Sequence, residues 1–599
     1  MSLRIEDYAM IGNTHTVALV GNNGSIDWLC IPRFDSGACF AALLGNPANG
    51  HWQIAPNAPV QSVRRRYSGP TLILENEFVT ESGAVVVIDF MPIARPAQRT
   101  DIVRIVRGLR GAVPMRMDLT VRFDYGHIVP WITRYDHAIR AVAGPDALEL
   151  KTPVPMHVRN LATVSEFTIA SGQSIPFTLT WYPSHDGPPS EDDSGQLLGE
   201  TQAWWLEWSS RCTLAGPWRD LALRSLITLK ALTYGPTGGI VAAPTAALPE
   251  WIGGRRNWDY RFCWLRDATL TLYALMLSGY MTEAFAWRDW LLRAVAGSPD
   301  DLQILYGIAG ERRLTEFELP WLSGYEKSAP VRIGNAAHQQ FQLDVYGEIM
   351  GAFDVGRRSG GTPSLESWAL LTALMHNLEK VWNQPDEGIW EVRGPRRHFT
   401  HSKVFAWVAL DRAVKAVEAG FQEGPLERWR KLRDRIHRDV CEQGFNRRRN
   451  AFVQYYGSDA LDAALLMIPL VGFLPPHDPR VIGTVEGIRR ELVSDGLVMR
   501  YRTEGGVDGL PPGEGAFLPC SFWLVDNLML AGHHHEAREL FERLASLCND
   551  VGLIAEEYDP VSRRLLGNFP QAFTHVSLVN SVRNLTLGGS AAASPPSER

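Results

Sequence analysis

The connections between helical segments constrain this chain more than the segments do. From about residue 218 onward apolar residues recur at i, i+3 and i+4. The spacing predicts twelve helices, over 218–234, 267–281, 283–296, 336–358, 364–383, 401–419, 424–442, 458–471, 479–494, 515–531, 535–548 and 570–585. Connections after even-numbered helices are short: GG at 360–361, GFQEG around 420, FLPPHD at 473–478 and HH around 533. Those after odd-numbered helices are long: 235–266, 297–335, 384–400, 443–457, 495–514 and 549–569. Loops beyond about 12–15 residues without structure of their own are usually functional or disordered. Successive antiparallel helices put alternate connections at opposite ends, so all six long loops are expected on one face. A closed (α/α)6 barrel satisfies this pattern. An open α-solenoid competes, but it does not bring the first and last loops together.

Upstream the chain reads differently. ILEN followed by EFVT, AVVVIDFMP, TDIVRIVRGL, MRMDLTVRFDY, ALELKT and SEFTIA are short, β-branched or alternating, and separated by turn residues. That pattern predicts a β-sandwich. HDGPPSEDDSG at 185–195 is a linker, and LLGETQAWWLEWSSR after it is a helix suited to bridge two domains. The expected organisation is a sandwich over 1–190, a linker helix over 191–217, a catalytic barrel over 218–587 and a frayed tail over 588–599.

Composition excludes several classes. With 45% hydrophobic residues the chain is not disordered. Its 59 basic and 66 acidic residues are well mixed, which excludes nucleic acid and anionic lipid as partners. No stretch approaches the roughly 18 apolar residues of a membrane span. Arg4, Glu6 and Asp7 interrupt any signal-peptide core, and seven scattered cysteines show no paired spacing, so a reducing cytoplasm is expected.

Two of the acidic residues stand out by context. Glu391 lies in EGIWEVRG (387–394), between Trp390 and Val392. An acid beside a Trp face has its pKa raised by desolvation, as a general acid needs. Glu556 lies in GLIAEEYDP (552–560), beside the like charge of Glu557. The competing reading of each is a loop acid that caps a helix or pairs with Arg393 or Arg563. A third segment is RRNWDYRFCWLRDATLTLYAL (255–275), in which Trp258, Tyr260, Phe262 and Trp264 precede Arg266 and Asp267. Aromatic faces stack on sugar C–H faces, and an adjacent Arg and Asp hold neighbouring hydroxyls. The competing reading is a structural aromatic cluster with Asp267 capping the next helix.

DYRFCWLRD (259–267) resembles the sugar-holding segment of glycoside hydrolase family 15, the glucoamylase family. GIWEVRG resembles its general-acid loop, and IAEEYDP its general-base loop with Glu556 at the base position. The likeness extends to the bacterial branch that includes actinobacterial trehalases, through GSIDWLCIPRFDS (24–36), SGYEKSAPVRIGN (323–335), HFTHSKVFAWVALDR (398–412), DALDAALL (459–466), CSFWLV (520–525) and LGNFPQAFTH (566–575). The resemblance implies an N-terminal β-sandwich and a catalytic (α/α)6 barrel. It also implies exo-acting hydrolysis of an α-glucosidic bond with inversion, Glu391 being the acid and Glu556 the base, with the two carboxyls roughly 6.5–9.5 Å apart. Arg266 and Asp267 would then hold the terminal glucose, Tyr260, Trp264 and Trp390 would wall its pocket, and Arg500 in LVMRYR would touch the same sugar. A small saccharide is the implied partner, and no metal or other cofactor is called for. The histidines at 533–535 read as turn residues rather than ligands.

Departures from the fungal members bear on the leaving sugar. They place a second acid directly after the general acid, where this chain has Val392 and then Arg393. His401 and Phe341 also differ from trehalase-like relatives and are expected on the acceptor side, while the IPRFDS loop is expected to pack the domain interface. The reading is a trehalase. Its alternatives are a glucoamylase-type or isomaltose-type exo-α-glucosidase on short α-1,4 or α-1,6 glucans, an inverting phosphorylase and a sugar-binding pseudoenzyme.

Overall fold

The computed structural model describes residues 2–93, 98–190, 192–296, 301–360 and 364–588. The first part is a layered antiparallel β-structure of fifteen strands. TDIVRIVRGL and MRMDLTVRFDY, which read as two strands, form one, Thr100–Thr120. Its first half pairs with Gly83–Phe90 and Ser174–Pro183, its second half with His51–Pro56 and Ala162–Ala170. The register slips opposite Ala84 and Val85, so the strand bends and serves both layers without a break. The sequence pattern shows a turn there because a bulge uses the same small residues.

Helix α1 (Ser194–Ser210) begins at Asp193, whose carboxylate accepts from the Gln196 amide. Leu197 packs into an apolar cluster with Val86, Ile88 and Phe90 of the sandwich. At the other end Trp208 stacks on Tyr280 at 4.0 Å and donates to Glu283 at 2.8 Å. The helix therefore joins the two parts by burial at both ends.

The second part is a double ring of helices. The inner ring is α3 (Leu265–Leu277), α5 (Asp344–Arg358), α7 (Thr400–Glu418), a short α9 (Met467–Leu470) preceded by a 3-10 turn, α11 (Leu518–Leu530) and α13 (Ala572–Leu587). The outer ring is α2 (Arg219–Ala231), α4 (Thr282–Ala294), α6 (Leu365–Val381), α8 (Leu426–Gln443), α10 (Pro479–Glu491) and α12 (His534–Ala545). Helix α13 packs against α3, which closes the ring. Burial separates the rings. Every residue of α11 is buried, whereas only Trp429, Ile436 and Val440 of α8 are. Gly347 of α5 meets α7 so closely that a Cβ there would lie 2.3 Å from the Phe405 carbonyl oxygen.

Two segments are shorter helices than their periodicity suggests. The segment over 336–358 becomes α-helical only at Asp344, because the loop acids Glu387 and Asp386 take the amides of Phe341 and Leu343. The segment over 458–471 is a 3-10 turn and a single α-turn, because Asp462 turns back on the Ala464 amide and Pro469 has no N–H to donate. Gly588 ends α13 in a left-handed cap, and the tail expected beyond it lies outside the described residues.

The sandwich supports the barrel from behind one segment. Arg261, 1% exposed, forks onto Asp259 at 2.9 and 2.6 Å and donates to the Ser36 carbonyl at 2.9 Å. Trp28 donates to the Pro244 carbonyl, and Arg33 pairs with Glu311. The IPRFDS loop thus packs this interface and contributes no side chain to the cavity described next. Among the described residues no helix is long and apolar enough to cross a membrane.

Candidate active site

A cavity opens at the long-loop end of the barrel. Five of the six long connections line it; the loop over 443–457 does not.

The segment over 257–267 forms one wall. A strand at Asn257–Asp259 and a two-residue strand at Cys263–Trp264 lead into α3. Extended backbone sends alternate side chains to opposite faces. Trp258, Tyr260 and Trp264 reach the cavity, while Asp259 and Arg261 face the sandwich and Phe262 is buried away from the lining. Arg266 and Asp267 follow at the start of α3, paired at 2.9 Å. Arg266 also donates to the Ile389 carbonyl at 2.8 Å and lies over Phe573. Burial pushes the Asp267 carboxyl up, and the Arg266 charge opposes it.

Glu391 comes from a tight turn in which its amide donates to the Gly388 carbonyl at 3.1 Å. Its φ of 56° is left-handed, a conformation that costs a non-glycine residue about 1 kcal/mol or more. The surroundings over-determine it. Trp264 Nε1 donates to Oε1 at 2.7 Å, Arg266 approaches the same oxygen at 3.3 Å, and Gln340 donates to the Glu391 carbonyl. Desolvation raises its carboxyl above the ordinary range, and Arg266 holds it back.

Glu556 enters from the last long loop, over 549–569. The Tyr260 hydroxyl donates to Oε1 at 2.6 Å and the Asn568 amide to Oε2 at 3.1 Å. Gly567, at φ +73°, lies so near that a Cβ there would meet Oε2 at 2.5 Å. Burial and the nearby Glu250 carboxylate push Glu556 up to about 8, against the Tyr260 hydrogen bond and the Arg500 charge. Glu557 turns the other way. It accepts from the Gly515 amide at 2.8 Å, faces Arg500 and does not line the cavity.

The eight residues expected to act on or hold the attacked sugar line this one cavity: Glu391, Glu556, Tyr260, Trp264, Arg266, Asp267, Trp390 and Arg500. Tyr260 holds one glutamate and Trp264 the other, and the two rings stand edge to face with centroids 5.3 Å apart. Trp390 is fixed by two hydrogen bonds to Asp462, at 2.9 and 3.0 Å. Arg500 bonds Glu250 at 2.8 Å and Glu514 at 2.6 Å.

The structure moves other expected residues away. His401 and Phe341 do not line the cavity. His401 is 4% exposed and packed on Phe405, and burial pushes its imidazole down to about 3. Val392 is buried behind the lining, and Arg393 pairs with Glu316 rather than Glu391. The histidines at 533–535 are exposed at the turn into α12. Sequence reasoning missed Glu250, Arg256, Tyr501 and Phe573, all of which line the cavity. Phe573 lies inside a quoted motif, whereas nothing around Glu250 marks it. Glu250, Glu514 and Glu557 bring ligand-type atoms within 4.8 Å of one another, but the guanidiniums of Arg500 and Arg256 already stand among them. This cluster is charge-compensated by the chain itself.

The family model described as glycosyl hydrolases family 15 matches residues 216–583, and one described as trehalase-like, N-terminal matches residues 1–165. The chain belongs to glycosyl hydrolase family 15. As a member of this family it is a glycoside hydrolase. Among similar family proteins, a trehalase of Mycobacterium tuberculosis is 39% identical over 96% of this chain and 89% of its own. A trehalase of Thermoplasma volcanium is 35% identical, over 96% of this chain and 92% of its own. A bacterial glucoamylase crystallised with acarbose shares the fold with a TM-score of 0.72, covering 98% of this chain and 94% of its own at 12% identity. That likeness carries the family's architecture, a sheet-rich domain ahead of an (α/α)6 barrel, across both parts.

Proposed function

We propose that this protein is a trehalase that hydrolyses α,α-trehalose to two glucoses with inversion. The observation that carries the reading is the pair of glutamates on one cavity, each anchored by a different ring of the same short segment. The near full-length likeness to proteins named trehalase supports the substrate.

Glu391, protonated, gives its proton to the glycosidic oxygen as the C1–O bond breaks. Glu556, ionised, takes a proton from a water that attacks C1 from the opposite face. The Tyr260 hydroxyl and the Asn568 amide point at Glu556 and favour its ionised form, which burial alone disfavours. Arg266 and Asp267 hold the hydroxyls of the attacked glucose, Trp390 and Trp264 wall it, and Arg500 stands beside it. Because burial raises Glu556 more than Glu391, the reactive form, with Glu391 protonated and Glu556 ionised, is the less populated of the two that carry one proton. We place the enzyme in the cytoplasm, a reading supported by its seven free thiols.

Product stereochemistry tests the reading. Inversion at one ring gives β-glucose from it, while the departing ring keeps its α configuration. NMR of early products from trehalose is expected to show equal α- and β-glucose. Only α-glucose would mean retention, and glucose 1-phosphate formed in phosphate buffer would mean phosphorolysis. Cleavage of maltose or isomaltose with trehalose left intact would move the substrate to an α-1,4 or α-1,6 glucoside.

A further inference from the structure

Four carboxylates line the cavity: Glu250, Asp267, Glu391 and Glu556. The last three have roles in the proposed reaction. Glu250 has none, although it is 2% exposed and tied into the wall on both sides. Trp258 Nε1 donates to its Oε1 at 3.1 Å and Arg500 to its Oε2 at 2.8 Å. Its backbone is fixed too, since its amide donates to the Arg256 carbonyl and its carbonyl accepts from the Gly515 amide.

Its link to the outer end of the cavity is the hydrogen bond it accepts from Trp258. The deep end is the start of α3, where Asp267 is 1% exposed. The outer end carries Trp258, which is half-buried, and Arg393, whose guanidinium lies 4.1 Å from the Trp258 ring centre and whose side chain is 31% exposed. A disaccharide whose attacked ring sits on Arg266 and Asp267 puts its departing ring at this outer end. The residue after Glu391 is buried Val392, which offers no polar atom from its side chain. Glu250 is the carboxylate among the lining residues that meets Trp258.

We propose that Glu250 is the leaving-sugar carboxylate: it accepts hydroxyl hydrogen bonds from the departing glucose, and it fixes Trp258 as a wall of that subsite. It is a specificity-determining residue, and the inference rests on the reading of this site as one for an α-glucosyl disaccharide. A charged acceptor suits vicinal sugar hydroxyls, and its hydrogen bonds are stronger than those between neutral groups.

The test compares a substrate that has a leaving sugar with one that lacks it. Glu250→Ala and Glu250→Gln are assayed on trehalose and on α-glucosyl fluoride, each at its own pH optimum. The ratio of kcat/KM for trehalose to that for the fluoride is expected to fall about 10- to 100-fold in the Ala variant, mostly through KM, and by less in the Gln variant. An unchanged ratio overturns the proposal, whether both substrates are lost equally or neither is. Calorimetric binding of 1-deoxynojirimycin, which fills only the deep half, reports whether the Ala variant folds; if it does not, the isosteric Gln variant decides by the same ratio. If wild type spares trehalose but cleaves another α-glucosyl disaccharide, the trehalase reading fails, and the same ratio measured on that sugar tests Glu250. A wild type that cleaves the fluoride and no disaccharide overturns both.

Discussion

The turn that carries Glu391 and the strand end that carries Glu556 present the same side chain in opposite ways. Glu391 sits on a left-handed residue of a loop, its side chain 21% exposed, with an arginine and an indole N–H on one oxygen. Glu556 sits immediately before the strand Glu557–Asp559, 1% exposed, held by a phenol and a backbone amide on separate oxygens. The first can exchange a proton with solvent between turnovers. The second is clamped and shielded, so its geometry toward a bound water is fixed before substrate arrives. Two side chains of one type thus stand in different surroundings, one open to exchange and one clamped.

The sharpest way to break this comparison is to remove each carboxylate and change the leaving group. Glu556→Gln is expected to lose about 10²–10⁴ in kcat on both trehalose and α-glucosyl fluoride, because water activation is needed for either. Glu391→Gln is expected to lose as much on trehalose but to keep fluoride hydrolysis within about tenfold, since fluoride leaves without a proton. Steady-state kinetics on the two substrates checks this; the reverse pattern would exchange the two roles.

Much of this was readable from the chain because loop lengths and short motifs are local. The alternation of long and short connections places the cavity face, and RFCWLRD, GIWEVRG and IAEEYDP hold the residues that meet there. What escaped depends on tertiary partners. Glu250 follows a proline in an unmarked loop, and its meaning comes from Trp258, eight residues on, and from Arg500 across the barrel. His401 looks like a site residue in sequence, yet it starts an inner helix and turns into the packing. The single strand over 100–120 reads as two because a bulge and a turn use the same small residues.

The support behind the cavity should respond differently from the cavity itself. Arg261→Ala leaves Asp259 buried and without its ion partner, which costs about 3–5 kcal/mol of stability. Chemical denaturation is expected to show this loss, and the folded fraction to keep most of its kcat, because the Arg261 side chain bonds Asp259 and the sandwich rather than the cavity lining. A kcat loss as large as that of Glu556→Gln, in a folded variant, would mean the sandwich tunes the chemistry directly.

A smaller change sharpens the picture of the base. The Tyr260 hydroxyl stabilises the ionised form of Glu556, so Tyr260→Phe raises that carboxyl further. Activity requires one proton on the pair, and the upper limb of the pH profile falls where the second carboxyl ionises, near the value of about 8 for Glu556. The variant is expected to move this alkaline limb upward and to lower kcat about tenfold or more, from the loss of one charged hydrogen bond. An alkaline limb that stays put would separate Tyr260 from the base.

The smallest effect belongs to the same device on the acid side. Trp264 Nε1 donates to Glu391 at 2.7 Å and favours its ionised form, while burial opposes ionisation. Trp264→Phe keeps a ring in the wall and removes the donor, so Glu391 holds its proton to higher pH. Its carboxyl already stands above the ordinary range, and it sets the lower limb, because once Glu391 begins to ionise each gain in ionised Glu556 is offset by a loss of protonated Glu391. The acid limb of kcat/KM is therefore expected to move up, with the alkaline limb fixed. The pair of variants then separates the carboxyls: the phenol moves one limb and the indole the other, because each glutamate answers to its own ring. A shift of both limbs by either variant would show instead that the two carboxyls titrate as a single coupled unit, and the division between loop and strand would lose its meaning.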